Sequence, residues 1–213
     1  MSSERAEPEV SRRRPGPRRA RGMPSGPAEV RRAVLDAAAK LFSERGVADV
    51  ALREIADEAR VNLGLISRYI GQRDDLIRTV FADLTEQLVG EIHDDPTGKK
   101  GFEPDTVMGR WTKVLTHLVI ADPQAAIEIG SRPVDELRNV IERSYEQSPE
   151  SSALRAAQLM ASAIGWRMFE PYLIAAAGLE KVPIEDVREE LTRTHRRLGA
   201  TPFPSPPDPQ RQR

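Results

Sequence analysis

Four residues between positions 63 and 68 have the types and the spacing to contact a DNA duplex. They share the outer side of a short helical pattern, because Ile66 and Ile70, four residues apart, form its apolar side. The outward residues are Leu63, Gly64, Ser67 and Arg68. Arginine can bind guanine or a phosphate, leucine can meet a thymine methyl group, and glycine allows close approach. This face is therefore predicted to reach base edges.

Two short helices must position this face. The stretch from Val50 to Leu76 reads VALREIADEARVNLGLISRYIGQRDDL and predicts helices over Leu52–Ala59 and Leu63–Ile70, with Val61 in the turn. Helices this short are unstable alone and must pack on their neighbours, as in a helix-turn-helix whose second helix enters the major groove. Asn62 is predicted to cap that helix and to contact a phosphate.

Almost all of the remaining chain also predicts helix. Apolar spacing between Val34 and Phe42 predicts a first helix that starts near Pro27 and ends at Gly46. Further helices are expected near 73–92, 104–120, 123–129, 133–146, 149–178 and 183–198. Pro171 lies inside the longest of these and is expected to kink or split it. The predicted fold class is all-α, with about nine helices.

Composition narrows the class of protein. The 213 residues carry a formal net charge of -1, but residues 1–78 hold 16 basic and 12 acidic side chains, whereas residues 79–213 hold 16 and 21. A basic N-terminal part favours a polyanionic partner. There is no cysteine, and the longest apolar stretch is interrupted by charges and a proline, so neither thiolate chemistry nor a membrane span is expected. A cytoplasmic protein is predicted.

The two ends of the chain predict disorder. Residues 1–27 are rich in proline, glycine, serine and arginine, and residues 200–213 hold five prolines. Six arginines between Arg12 and Arg21 face no acid. This arm either tracks DNA phosphates or is only a solvated extension.

The stretch from Val30 to Phe81 resembles the DNA-binding domain of the tetracycline-repressor (TetR) family. The matching residues are Leu41, Phe42, Gly46, Arg53, Glu54, Ile55, Ala56, Ala59, Val61, Asn62, Gly64, Leu65, Ile66, Tyr69, Gly71, Asp74, Asp75 and Leu76. The chain departs from the family pattern at Val50 and Ala51 (usually a Thr or Ser cap), Arg60 (Gly), Ser67 (Tyr), Ile70 (Phe), Gln72 (Ser) and Arg73 (Lys).

The resemblance implies an N-terminal three-helix DNA-binding domain over residues 28–75 and a helical effector-binding and dimerisation domain over 76–199. The predicted DNA contacts are Arg53, Asn62, Leu63, Gly64, Ser67, Arg68, Tyr69 and Arg73. Family members hold a small molecule among their central C-terminal helices, so the predicted ligand-pocket residues are Met108, Trp111, His117, Trp166, Phe169 and Tyr172. The family dimerises through its last two helices, which gives Ala157, Ala161, Ile164, Met168, Val187 and Leu191 as the predicted dimer interface.

Three classes of function remain open at this stage. The favoured one is a homodimeric transcriptional repressor that a small hydrophobic or amphipathic ligand releases from a near-palindromic DNA operator. The alternative is a helical adaptor that binds ligand or protein and has a degenerate DNA site. An enzyme is not expected, because no phosphate-binding loop, nucleophile elbow or HExxH spacing occurs, and no metal or cofactor is predicted.

Overall fold

The computed structural model of the chain describes residues 24–95, 102 and 106–202, and every regular element in these ranges is an α-helix. The helices are α1 (Pro27–Arg45), α2 (Leu52–Glu58), α3 (Leu63–Tyr69), α4 (Arg73–Asp94), α5 (Val107–Ala121), α6 (Pro123–Gly130), α7 (Arg132–Tyr145), α8 (Pro149–Ala176) and α9 (Ile184–Ala200). The predicted all-α fold is confirmed, and each predicted helix occurs within a few residues of its expected bounds.

Proline and side-chain caps explain where several helices begin. Pro123 and Pro149 stand at the first position of α6 and α8, where a missing N–H costs nothing. Asp122 accepts a hydrogen bond from the Ala125 N–H, and Ser148 accepts one from the Ser151 N–H. These starts were legible in the sequence because they depend on neighbours in the chain.

Helix α8 continues through Pro171. The helix runs unbroken over 28 residues from Pro149 to Ala176, and Pro171 lies exposed on its surface. A split at this proline is therefore wrong. Proline lacks the N–H that would donate one helical hydrogen bond, and this loss alone does not end α8.

One apolar core joins the N-terminal helices to the rest of the protein. Phe42 of α1, Phe81 of α4 and Trp111 of α5 are all almost fully buried in it. The rings of Phe81 and Trp111 stack with centroids 5.6 Å apart, and the Trp111 indole donates a 2.9 Å hydrogen bond to the Thr85 hydroxyl. Because α4 and α5 share this core with α1, a shift of either helix bears directly on α1.

The predicted end segments fall mostly outside the described residues, which begin at 24 and end at 202. The predicted division between residues 75 and 76 lies in the first turn of α4 and stays a prediction. Among the helices of the described ranges, none combines the length and the apolar character needed to cross a membrane.

Candidate nucleic-acid interface and internal cavity

Helices α2 and α3 form a compact pair that packs on α1. Ile55 and Ala56 of α2 and Ile66 of α3 are almost completely buried where the two helices meet the core. The turn between them closes through a 2.9 Å hydrogen bond from the Val61 N–H to the Ala56 carbonyl. Ile70 is only partly buried, although it packs on the same core. The expected anchoring of α3 through its apolar side is thus confirmed, with Ile66 as the principal anchor.

The opposite side of α3 faces solvent. The four residues expected there, Leu63, Gly64, Ser67 and Arg68, are all exposed, and 42% of Leu63 is accessible. No other part of the described chain covers this side. Arg53 of α2 is exposed as well. The pair therefore presents to solvent the outer side of α3, with Arg68, and the exposed Arg53 of α2.

Two further residues hold this face in place. The Asn62 carboxamide accepts a 2.9 Å hydrogen bond from the Gly64 N–H, which confirms the predicted cap of α3. Tyr69 is half-buried against the core, and the Arg68 guanidinium lies 5.5 Å from the centre of its ring. This cation–π contact restrains Arg68 while leaving it exposed.

Arg73, by contrast, is directed into the protein. Its Nη1 donates to the Val50 carbonyl and its Nη2 donates to the Val47 carbonyl, each over 2.5 Å. Both nitrogen atoms are therefore engaged in the loop between α1 and α2. The phosphate contact at Arg73 stays a prediction, since the structure shows its guanidinium bound to the chain's own backbone. The acceptors are backbone atoms more than twenty residues away in sequence, so no local pattern could indicate them.

The start of α2 is fixed without a hydroxyl cap. The Glu54 carboxylate accepts a 2.8 Å hydrogen bond from the Ala51 N–H and pairs with Arg45 over 2.5 Å. The bond from Arg45, followed by that from Ala51, lowers the pKa of Glu54. A glutamate three residues after the cap position is the signal that predicts this arrangement.

The α2–α3 turn retains the backbone form that usually requires glycine. Arg60 has φ of 54°, in the left-handed region, and its side chain is exposed. The turn thus keeps its geometry and accommodates the arginine under strain, which costs an L-residue about 1–2 kcal/mol.

Replacing Arg60 with glycine should therefore stabilise the protein. We expect a gain of about 0.5–1 kcal/mol in the free energy of unfolding, because relief of the left-handed strain exceeds the extra entropy of an unfolded glycine. Urea unfolding of the Arg60→Gly chain and of the wild-type chain measures this difference in the free energy of unfolding. Glu146→Gly, at the left-handed end of α7 (φ 50°), is the matched control and should gain similarly. A loss of stability in Arg60→Gly would contradict the strain.

A cavity of about 300 Å³ lies among α4, α5, α7, α8 and α9. Nine of the twenty described residues that line it are aliphatic or methionine, namely Leu88, Ile92, Met108, Leu137, Val140, Ile141, Leu159, Met160 and Ala163. A small organic molecule fits a space of this size and lining.

Polar side chains also line the cavity: Glu91, Asp94 and Asp95 come from the end of α4, Thr106 and Tyr145 from α5 and α7, and Arg167, Thr192, His195 and Arg196 from α8 and α9. His195 stacks on Phe102 with ring centroids 4.8 Å apart, and the Arg167 guanidinium lies 5.0 Å from the centre of the same ring. Burial lowers the pKa of Arg167 to about 10. Burial, and secondarily the charge of Arg167, lowers the pKa of His195, so this imidazole is neutral at pH 7 and can both donate and accept a hydrogen bond.

Only Met108 among the six predicted ligand-pocket residues lines this cavity. Trp111 is part of the core, and the Trp166 indole donates to Glu170 over 2.8 Å. Phe169 and Tyr172 are 53% and 69% exposed, and His117 is half-buried away from the cavity wall. The prediction followed the aromatic residues of α5 and α8, whereas the cavity is formed where aliphatic sides of five helices meet.

The predicted dimer residues lie on α8 and α9. Ala157, Ala161 and Met168 are exposed, and Ile164, Val187 and Leu191 are half-buried. The exposed Phe169 and Tyr172 lie on the same helix as Met168. The described part of the chain thus leaves three of the predicted dimer side chains exposed and covers the other three in part, and their role in a dimer stays a prediction.

Comparison with known proteins points to one family. Residues 34–80 match the model described as bacterial regulatory proteins, tetR family. The chain is 31% identical over 169 residues to the HTH-type transcriptional repressor Rv3405c of Mycobacterium tuberculosis, which covers 79% of this chain and 88% of that protein. It is 38% identical over 64 residues to the HTH-type transcriptional regulator HbdR of Aromatoleum sp., across 30% of this chain and 28% of the relative.

Solved structures share the fold. A putative TetR-family transcriptional regulator from Mesorhizobium loti superimposes with a TM-score of 0.56 at 14% identity, over 82% of this chain and 96% of its own. A transcriptional regulator from Rhodococcus sp. Rha1 gives a TM-score of 0.56 at 16% identity, over 83% and 99%. At these identities the likeness concerns the fold alone.

Proposed function

Because this chain belongs to the tetR family of bacterial regulatory proteins and is a DNA-binding transcriptional regulator, we propose that it is a homodimeric repressor released from its operator by a small apolar or amphipathic molecule. The proposal has three parts, which are the DNA contact, the dimer and the release.

The outward side of α3 makes the DNA contact. Leu63, Gly64, Ser67 and Arg68 enter the major groove, with Arg68 placed to bind a guanine or a phosphate. Asn62 and Arg53 flank them as phosphate contacts. The proposal rests on an exposed face whose other side is locked into the core at Ile66.

Helices α8 and α9 form the dimer. Their small and apolar side chains, among them Ala157, Ala161 and Met168, are open to solvent in the single chain and allow two helices to approach closely. Two α3 helices would then enter successive major grooves about 34–36 Å apart on a near-palindromic site. We propose repression rather than activation because the relative from Mycobacterium tuberculosis is named a transcriptional repressor.

Helix α4 connects the DNA-binding region to the cavity and is the element through which a ligand would cause release. Its 22 residues begin at Arg73, two residues after the turn that ends α3, and its last turns supply Leu88 and Ile92 to the cavity wall. A molecule that enlarges or reshapes the cavity therefore acts on the helix that follows α3 directly in the chain, after the turn at Gly71. To switch the protein fully, that molecule must prefer the released form by roughly 5 kcal/mol.

Two polar contacts outside the core join α4 to the start of α6 and α5 to the end of α1. Arg78 of α4 pairs with Asp122, the cap of α6, over 2.5 Å. The Lys113 ammonium of α5 donates to the Ser43 carbonyl in the last turn of α1. A displacement of α5 at the cavity thus has a polar as well as an apolar route to α1.

In vitro selection from a random duplex pool, followed by titration of the selected duplex, tests the proposal. We expect a near-palindromic sequence, one dimer per duplex by analytical ultracentrifugation, and weaker binding in the presence of ligands found by thermal-shift screening. Selected DNA that no bound ligand displaces would contradict release. Ligand binding without any enriched duplex would favour the adaptor.

Filling the cavity should separate ligand response from DNA binding. Ala163 lines the cavity, so Ala163→Leu adds bulk where the ligand would lie. We expect the variant to bind the selected duplex within about twofold of wild type while ligand affinity falls roughly tenfold or more, because the leucine side chain occupies volume that the ligand would fill. Anisotropy titrations with and without ligand measure both quantities.

The matched control is Ala121→Leu, which makes the same change at the exposed last residue of α5, away from the cavity wall, and should leave ligand affinity unchanged. Unaltered ligand affinity in Ala163→Leu would mean that the effector binds elsewhere.

A further inference from the structure

The guanidinium of Arg73 joins two parts of the DNA-binding region that are distant in sequence. Arg73 is the first residue of α4, and its acceptors, the carbonyls of Val47 and Val50, belong to the loop over residues 46–51 that connects α1 to α2. The side chains of both valines are almost fully buried, so their backbone has little freedom to follow a moving partner. The two donors of one planar group therefore hold two carbonyls of one loop.

A cation at this position has no local benefit. The first turn of a helix carries the positive end of the helix dipole, which favours anions such as Asp74 and Asp75 and disfavours an arginine. The two hydrogen bonds to the loop offset this cost. Lysine could not make the same pair of bonds, because its ammonium lacks the planar fork of the guanidinium.

The loop that Arg73 holds determines where α2 starts. Ala51, directly after Val50, is the cap residue of α2 and has no hydroxyl to fix the first turn. The same loop receives a 2.8 Å hydrogen bond from Arg45 to the Asp49 carbonyl. Helix α2 packs against α3, so its position bears on the outward face of α3.

We infer that Arg73 is a positioning residue for DNA recognition: it ties the α1–α2 loop to the start of α4 and thereby sets α2 and α3 against the helix that reaches the cavity. It does not act as a phosphate ligand. The inference rests on the proposed function in that a duplex must be bound. It extends that function by assigning to one side chain the link between the cavity helix and the DNA-reading pair.

Salt dependence distinguishes this role from a phosphate contact. Each phosphate that a cation neutralises contributes about 0.9 to the slope of log affinity against log salt concentration. Full-length Arg73→Met, Arg73→Lys and Arg53→Met would be titrated with the selected duplex and with a random-sequence duplex pool of equal length. The titrations would run between about 50 and 200 mM salt, and circular dichroism would confirm folding at the temperature used.

For Arg73→Met we expect the dissociation constant of the selected duplex to rise roughly tenfold. Binding to the random pool and the salt slope should stay at wild-type values. Arg73→Lys should recover only part of the loss. Arg53→Met removes an exposed arginine at a proposed phosphate contact, and it should lower the slope by about 0.9 and weaken both duplexes equally.

Three results would overturn the inference. If Arg73→Met behaved like Arg53→Met and Arg73→Lys restored it fully, Arg73 would be a phosphate ligand. If only the melting temperature fell, with both affinities unchanged, Arg73 would be merely structural. If the wild-type chain enriched no duplex, the proposed function would fail together with the inference, whereas the first two results leave that function intact.

Discussion

Replacing Arg68 with glutamate should weaken binding to the selected duplex by about a hundredfold or more. The change removes a side chain whose bidentate contact to a base is worth about 1–3 kcal/mol, and it places a negative charge against phosphates. Since Arg68 is exposed and Ile66 carries the packing of α3, the fold should be unaffected. Fluorescence anisotropy on a labelled duplex gives the affinity, and circular dichroism checks the fold.

The control for this experiment is Arg197→Glu, which makes the same change in net charge at an exposed position in the last turn of α9. We expect its affinity to remain near the wild-type value at about 150 mM salt, where charges far from the duplex are largely screened. Equal losses in both variants would mean that net charge, rather than the face of α3, governs binding.

Gly71→Ala should destabilise the protein by roughly 2–4 kcal/mol. Gly71 has φ of +123°, which L-residues rarely adopt, and an added Cβ would lie 2.9 Å from the Asp75 Cβ and closer still to its carboxylate. Asp75 would have to move, although its carboxylate accepts a 2.9 Å hydrogen bond from the Gln72 N–H at the start of α4. The backbone strain at position 71 and the loss of the Asp75 cap therefore both lower the free energy of unfolding.

Urea denaturation of Gly71→Ala and of Gly90→Ala measures this effect against a matched change. Gly90 lies within α4 with nothing within 4 Å of an added Cβ, so alanine there should stabilise the helix by up to about 1 kcal/mol. Opposite signs for the two variants are the expected outcome. A neutral Gly71→Ala would show that the turn between α3 and α4 can relax into another conformation.

Most of the fold can be predicted from the sequence because helix ends and apolar helix faces depend on residues close together in the chain. Pro149 at the start of α8 and Gly71 after α3 mark such helix ends, and the sequence predicts both. The burial of Ile66 followed from its spacing with Ile70, and the exposed face of α3 followed from the burial of Ile66. The cap at Asn62 likewise needs only residues within two positions.

The cavity and the partners of Arg73 could not be predicted from the sequence, because they depend on how distant helices pack together. The cavity wall draws on five helices, and a hydrophobic periodicity states which side of a helix is apolar but not which gap between helices remains open. Phe169 and Tyr172 therefore looked like pocket residues and lie on the surface. Arg73 is predicted from the sequence as a phosphate contact, whereas the acceptors that the structure gives it are carbonyls of a distant loop.

The most direct test compares the sequences that the wild-type chain and the Arg68→Ala chain enrich from one random duplex pool. If Arg68 reads a base, wild type should enrich two half-sites centred about 10 base pairs apart, or a multiple of that distance. Arg68→Ala should lose the preference at one symmetry-related position in each half-site while it keeps the others. Identical enriched sequences from both chains, or none from either, would contradict the claim that the outward face of α3 reads DNA.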